Sequence, residues 1–250
     1  MLNLLGLDEL QIYRGADFEI VPGIVIHQPT LGEICDFGED KYFGMIHNFT
    51  SVGADLKWQL WDAGIDYTKI SDYELFYNVL HRGISSNQTQ IILKDLDISE
   101  FKLFEKRKND ITEMVLYHQE KDIIINEYVY TMIVSALRSI HGVKRDNKMP
   151  GNNSTKMILI EDARDEYERN KNKEHHSQLK NLVSAMINCE GFKYSHSDVW
   201  NMKINAFMDS VQRIQKIKNA SLLLQSGYSG FGMDLKKIDD KKLNWTGELD

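Results

Sequence analysis

The stretch WNMKINAFMDSVQRI, residues 200–214, places Trp200, Ile204, Phe207, Val211 and Ile214 four, three, four and three residues apart. That alternation keeps the apolar side chains on one face of an α-helix, a seam suited either to a core or to a partner helix. Ser195 stands upstream as a candidate N-cap. At about two heptads the seam is too short to argue for a free coiled coil. The plainer alternative is that Trp200, Phe207 and Ile214 are simply core.

Outward from this helix, the C-terminal part stays helical. Met157, Ile160, Ala163 and Tyr167 share a face, residues 170–177 are wholly polar, and Leu179, Leu182, Val183, Met186 and Ile187 resume the apolar stripe. From Gly227 the tail GYSGFGMDLKKIDDKKLNWTGELD alternates glycine, aromatic and charge. It reads as a loop or short turns docked by Tyr228, Phe231, Leu235, Ile238 and Trp245, or as a segment free until a partner binds. Upstream, VKRDNKMPGNNST at 143–155, with Pro150-Gly151, is the best linker candidate.

The first 142 residues are mixed. Leu10, Ile12 and Tyr13, then Phe18 to Val21, read as two short β runs around Arg14-Gly15-Ala16-Asp17, and Ile24-Val25-Ile26 as a third. Pro29-Thr30 suits the first turn of a helix, and helical spacing holds from Thr30 to Gly83. Within it, Ser71 with Glu74 forms a capping box, and Arg82-Gly83 ends that helix. Between 90 and 125, the runs 91–93, 101–104, 114–117 and 123–125 predict a small antiparallel β insertion. Asn126 then caps a helix with face Tyr130, Ile133, Val134, Leu137 and Ile140, closed by Gly142. The fold class is therefore α+β, predominantly helical, with a mixed domain at 1–142, a helical domain at 156–226 and an aromatic, glycine-punctuated tail at 227–250.

Composition narrows the functions. The chain has 250 residues, 42% hydrophobic and 10% aromatic, with a formal net charge of −7. Nucleic-acid binding driven by phosphate neutralisation does not fit that charge, and no nucleic-acid partner is expected. The start lacks the basic and apolar regions of a signal peptide, and the longest apolar runs are broken well short of a membrane span. Cys35 and Cys189 show no CxxC spacing and read as two free, partly buried thiols in a reducing cytoplasm.

Candidate chemistry is thin. His141, His175 and His176 lack the spacing that sets two imidazoles on one helical face. Asp97, Glu100 and Lys102 fall on or near a predicted strand, as acids and lysine do in metal-dependent nucleases, but acid–x–Lys triplets recur by chance in so charged a chain. Gly227 to Gly232 is glycine-rich without the lysine or strand–turn–helix context of a phosphate loop. Arg213, Lys216 and Lys218 lie opposite the apolar seam and read as its solvated side. The profile points to a binding or assembly protein, not an enzyme, with no cofactor and no metal ligand expected.

Several segments together carry a resemblance: LNLLGLDELQIY at 2–13, IVIHQPTLGEICDFGEDKYFGMI at 24–46, DAGIDYTKISDYELFYNVL at 62–80, EYVYTMIVSALRSIHG at 127–142, LVSAMINCEG through DLKKI at 182–238, and LNWTGEL at 243–249. The chain resembles tail-module proteins of phages and prophages of low-GC Gram-positive bacteria, in particular tail assembly chaperones. The resemblance implies a non-enzymatic protein in the host cytoplasm that binds the helix-rich tape-measure protein, with tail-tube subunits as further partners and self-association left open. The partner-binding residues expected on this reading are Trp200, Ile204, Phe207, Val211, Ile214, Tyr228, Phe231 and Trp245. The alternatives are a minor structural or connector protein of the virion and, third, a small nuclease around Asp97. The length, and the β insertion at 90–125, depart from the simpler chaperones.

Overall fold

A computed structural model describes residues 9–108, 111–146, 148–174, 176–228 and 237–249. The chain opens with helix α1 (Glu9–Arg14), not the predicted strand. Hairpin strands β1 (Phe18–Val21) and β2 (Ile24–Ile26) follow, paired antiparallel with a bulge between Glu19 and Val21. Helices α2 (Leu31–Phe37), α3 (Glu39–Thr50) and α4 (Lys57–Asp62) come next. The Thr30 hydroxyl accepts from Glu33 N–H at 3.1 Å while Thr30 N–H donates to the Glu33 carboxylate at 2.6 Å, a complete capping box.

Ser71 caps α5 (Asp72–Leu75) as its sequence predicts, and the chain continues through a π-type turn, 76–80, into a short 3-10 turn at 81–83. The first apolar run of the expected β insertion is a single helical turn, α6 (Gln90–Leu93). The other three runs contribute the antiparallel sheet β3 (Lys102–Lys108), β4 (Ile111–His118) and β5 (Ile123–Ile125), in register Phe104 opposite Val115 and Tyr117 opposite Ile124. Thr89 decides against a strand at 91–93. Its buried hydroxyl donates to the Leu96 carbonyl at 3.1 Å and accepts from Ile98 N–H at 3.0 Å, which bends the chain back on itself.

Helix α7 (Glu127–His141) runs through the middle of the core and buries Val129, Tyr130, Ile133, Val134, Ala136, Leu137 and Ile140. Asn126 caps it by accepting from Val129 N–H at 3.0 Å, and Gly142 ends it in the left-handed region at φ 64°, where a side chain would be strained. Tyr130 stacks on Phe76, which stacks on Phe49, with ring centroids 4.8 and 5.2 Å apart. Its hydroxyl donates to the Phe49 carbonyl.

Helices α8 (Asn153–Asn170), α9 (Gln178–Ile187), α10 (Ile204–Tyr228) and the short α11 (Asp240–Leu243) complete the chain. Residues on both sides of 143–155 enter one buried apolar cluster, which takes in Ile160, Val183, Ile204 and Phe207 beside Ile24, Leu31 and Ile133. Polar clasps reinforce the join. Leu31 N–H donates to the Met202 carbonyl, and Ile204 N–H to that of Pro29. Glu39 accepts from Leu179 N–H at 2.9 Å and from the Ser177 hydroxyl at 2.5 Å, so a carboxylate from α3 sits on the positive end of α9. Lys156, buried in α8, pairs with Asp66 at 2.6 Å and lies over the rings of Trp61 and Tyr67.

One close approach is testable directly. A Cβ added at Gly53 would stand 2.3 Å from the Tyr67 carbonyl oxygen, a backbone atom that cannot rotate away. Gly53→Ala is expected to cost about 1–3 kcal/mol through forced backbone displacement. Urea denaturation should show a lower midpoint with an unchanged slope.

Candidate functional site

The seam that organises the C-terminal part divides in two. Ile204 and Phe207 are fully buried, and Val211 and Ile214 pack against the same core partly covered. Trp200 is not on this helix. It lies in a 3-10 turn at 199–201, partly buried, with His196 against its edge at 6.1 Å. Ser195 caps the turn before it, accepting from Asp198 N–H and donating to the Asp198 carboxylate at 2.6 Å, and does not cap α10. The chain crosses from Val199 to Lys203 in a short bridge opposite Thr30, and this separates the tryptophan from the helix.

Past Ile214, α10 leaves the core. Ile217 and Leu222 are exposed, Leu222 at 63% and Tyr228 at 81%, and Leu224 is partly exposed. At about 100° per residue, Ile217, Leu224 and Tyr228 share one side of the helix. The opposite side carries Lys216, Leu222 and Leu223 and faces the returning tail. Arg213 donates to the carbonyls of Trp245 at 2.8 Å and Gly247 at 2.7 Å, and Lys216 donates to that of Glu248. These two cations, read from sequence as solvated, therefore hold residues 245–248 against α10. Ala220 on the same helix is almost fully buried.

The tail and α10 enclose an open groove of about 640 Å³, walled by Lys216, Lys241 and Lys242 and floored by Leu222, Leu223 and Leu249. Trp245 stands beside it, 52% exposed. Of the residues proposed to bind a partner, Tyr228 and Trp245 are at the surface, whereas Ile204 and Phe207 are inside. Phe231 lies outside the described residues. Ile217, Leu222, Lys241 and Lys242 were missed in the sequence. Ile217, three residues beyond Ile214, continues the stripe, and that spacing was the available signal.

The acid–lysine constellation does not assemble. Asp97 is buried and its two oxygens accept from Asn87 N–H at 2.5 Å, Ser99 N–H at 2.9 Å, and the hydroxyls of Ser99 and Ser86. Burial pushes its pKa up, but these donors outweigh it and hold the carboxyl below its usual range. Asp97 caps the turn at 98–100. Glu100 pairs with His118 at 2.9 Å, and Lys102 is exposed on β3. Among the described residues, no three acids, histidines or cysteines gather as metal ligands would. His175 lies outside the described residues, and His176 is exposed near Glu174. Both cysteines are free; Cys35 is exposed, contrary to the expectation of a partly buried thiol, and Cys189 is partly buried as expected.

His141 is the most perturbed histidine. Its Nδ1–H donates to the Leu137 carbonyl at 2.7 Å and its Nε2 accepts from the Tyr42 hydroxyl at 2.6 Å, which fixes a neutral ring. Burial lowers its pKa to about 4. Burial likewise raises that of Tyr42, so this is a structural pair.

The fold and surface define a predominantly helical α+β protein whose long C-terminal helix is half core and half exposed, and no described helix is long and apolar enough to cross a membrane. Residues 170–250, which carry α9, α10 and the tail, match the family model of the YomV second domain, a phage-derived protein family. No curated protein and no solved structure matches the chain. The similarity thus covers the segment that contains the exposed end of α10 and connects the protein to phages or prophages.

Proposed function

We propose that the protein is a phage or prophage tail assembly chaperone, which keeps the tape-measure protein soluble through reversible contacts and performs no catalysis. One observation supports this most: Ile217, Leu224 and Tyr228, seven and four residues apart, continue past the core as a stripe that is exposed at Ile217 and Tyr228 and half-buried at Leu224, inside the family-matched segment. Seven-and-four spacing is that of a helical seam, and a tape-measure protein presents long apolar helical seams that aggregate unless covered. Each stripe is small, so single contacts are weak and the sum over many copies on one client is strong. The acidic net charge of −7 keeps such a coat soluble. The seat of the contact is the end of α10 together with Trp245, and the buried Ile204 and Phe207 support it from within.

Mass spectrometry of purified phage particles separates an assembly factor from a virion component. The protein is expected to be absent from finished particles while abundant in the infected or induced lysate. Recovery in particles at the stoichiometry of a tail subunit would replace the chaperone with a structural protein.

A further inference from the structure

The groove on the other side of α10 has a complement on the same chain. It is lined by three lysines, three leucines and the amides Gln212, Gln215 and Asn219, and among the described residues no acid lines it. Lys241 and Lys242 are exposed, and Lys216 donates to the Glu248 carbonyl. Helix α8 shows the reverse chemistry. Ile158, 57% exposed, shares a side with Asp162 and Asp165, with Leu159 and Glu166 flanking them, all exposed, and exposed Arg169 ends that side, donating to the Asp165 carbonyl. The inner side of α8 is occupied by Lys156 and Ile160.

The spacings match as well as the charges. Ile158 to Asp165 spans about 10 Å of helix, and Leu222 back to Lys216 about 9 Å. Laid antiparallel on α10, α8 of a neighbour sets Ile158 and Leu159 over the leucine floor and Asp162 and Asp165 against the lysines. We infer that the basic–apolar groove of α10 and α11 receives the acidic outer face of α8 from a second copy of this chain.

The two surfaces differ, so the contact is heterologous and one copy offers a free groove and a free α8 to the next. It leaves the Ile217–Leu224–Tyr228 side open and does not depend on what binds there. Wet, lysine-walled contacts of this kind weaken as salt screens them.

Sedimentation velocity on the full chain tests this. Wild type is expected to self-associate with rising concentration at low salt and to dissociate at high salt. K241E/K242E and D162K/D165K, which change only exposed side chains, should each weaken association at least about tenfold, about 1.4 kcal/mol, with unchanged circular dichroism. Mixed in equal amounts, these two variants should regain association, because the intact groove of one meets the intact α8 face of the other and the two reversed surfaces again carry opposite charge. A monomeric wild type, association untouched by either variant, or a mixture that stays monomeric would each overturn the inference. So would a groove variant that self-associates normally but loses binding to an acidic peptide or to single-stranded DNA.

Discussion

Phe207→Ala is expected to lower the unfolding free energy by about 3–5 kcal/mol, the cost of deleting a buried aromatic ring. Phe207 has no accessible surface, and it sits where α10 meets the cluster that includes Leu31, Ile34 and Ile140. Its loss leaves a cavity that a helix anchored at Pro29 and Lys203 cannot collapse to fill. Phe207→Arg should abolish folding, since the guanidinium would be buried without a partner. Urea denaturation followed by circular dichroism measures the first effect, and soluble yield the second. A partner-facing Phe207 would instead leave stability within about 0.5 kcal/mol and change only binding.

Acid is expected to weaken the protein through His141. The folded ring titrates near pH 4, against 6.5 for an ordinary histidine. Above pH 6.5 both folded and unfolded chains hold the ring neutral, and the full stability is present. As pH falls, the unfolded chain takes up a proton that the folded chain refuses, so stability declines until the folded ring protonates near 4. At 1.36 kcal/mol per unit the loss approaches about 3 kcal/mol. His141→Gln removes the titration, and between pH 7 and 4.5 it should lose about 2–3 kcal/mol less than wild type, whatever its absolute stability. Parallel pH profiles for the two proteins would show that His141 is not held neutral. Asp66 titrates elsewhere: hydrogen bonds from Lys156 and Thr68 lower it to about 2, so its contribution persists until pH falls below the ordinary carboxylate range.

Local chemistry was legible in the sequence where a residue and its partner lie within one turn. Ser71 with the Glu74 N–H, Asn126 with Val129 and Gly142 at the end of α7 all stand as their spacing predicts, whereas Pro29 and Thr30, read as a first turn, precede α2 and Thr30 caps it. The errors fall on short apolar runs. Leu10, Ile12 and Tyr13 read as a short β run, but six residues cannot distinguish period two from 3.6, and the segment is a helix that buries Ile12. Ile91 to Leu93 failed for a tertiary reason, the fold-back at Thr89. The 200–214 seam was right in its period from Ile204 onward and silent on which neighbour it meets. Spacing shows that a face is apolar; only the packed chain shows that Phe207 is inside and Tyr228 is not. The groove was invisible because it forms when residues 240–249 return to α10, held by Arg213 and Lys216 through backbone carbonyls that carry no sequence signature.

Exposure at the end of α10 links this packing to function. A seam that continued inward would only lengthen the core. Instead its last apolar positions stay open within the segment similar to a phage-derived family, beside a lysine-walled groove. On the proposed reading, one side of the helix meets a client and the other a neighbouring copy.

Co-expression with a phage tape-measure protein tests the central claim most directly. The account predicts that the tape-measure protein becomes soluble and co-purifies in a fixed ratio, and that Ile217→Lys with Tyr228→Asp abolishes this while the variant stays folded. A tape-measure protein that remains insoluble beside well-folded wild-type protein would contradict it.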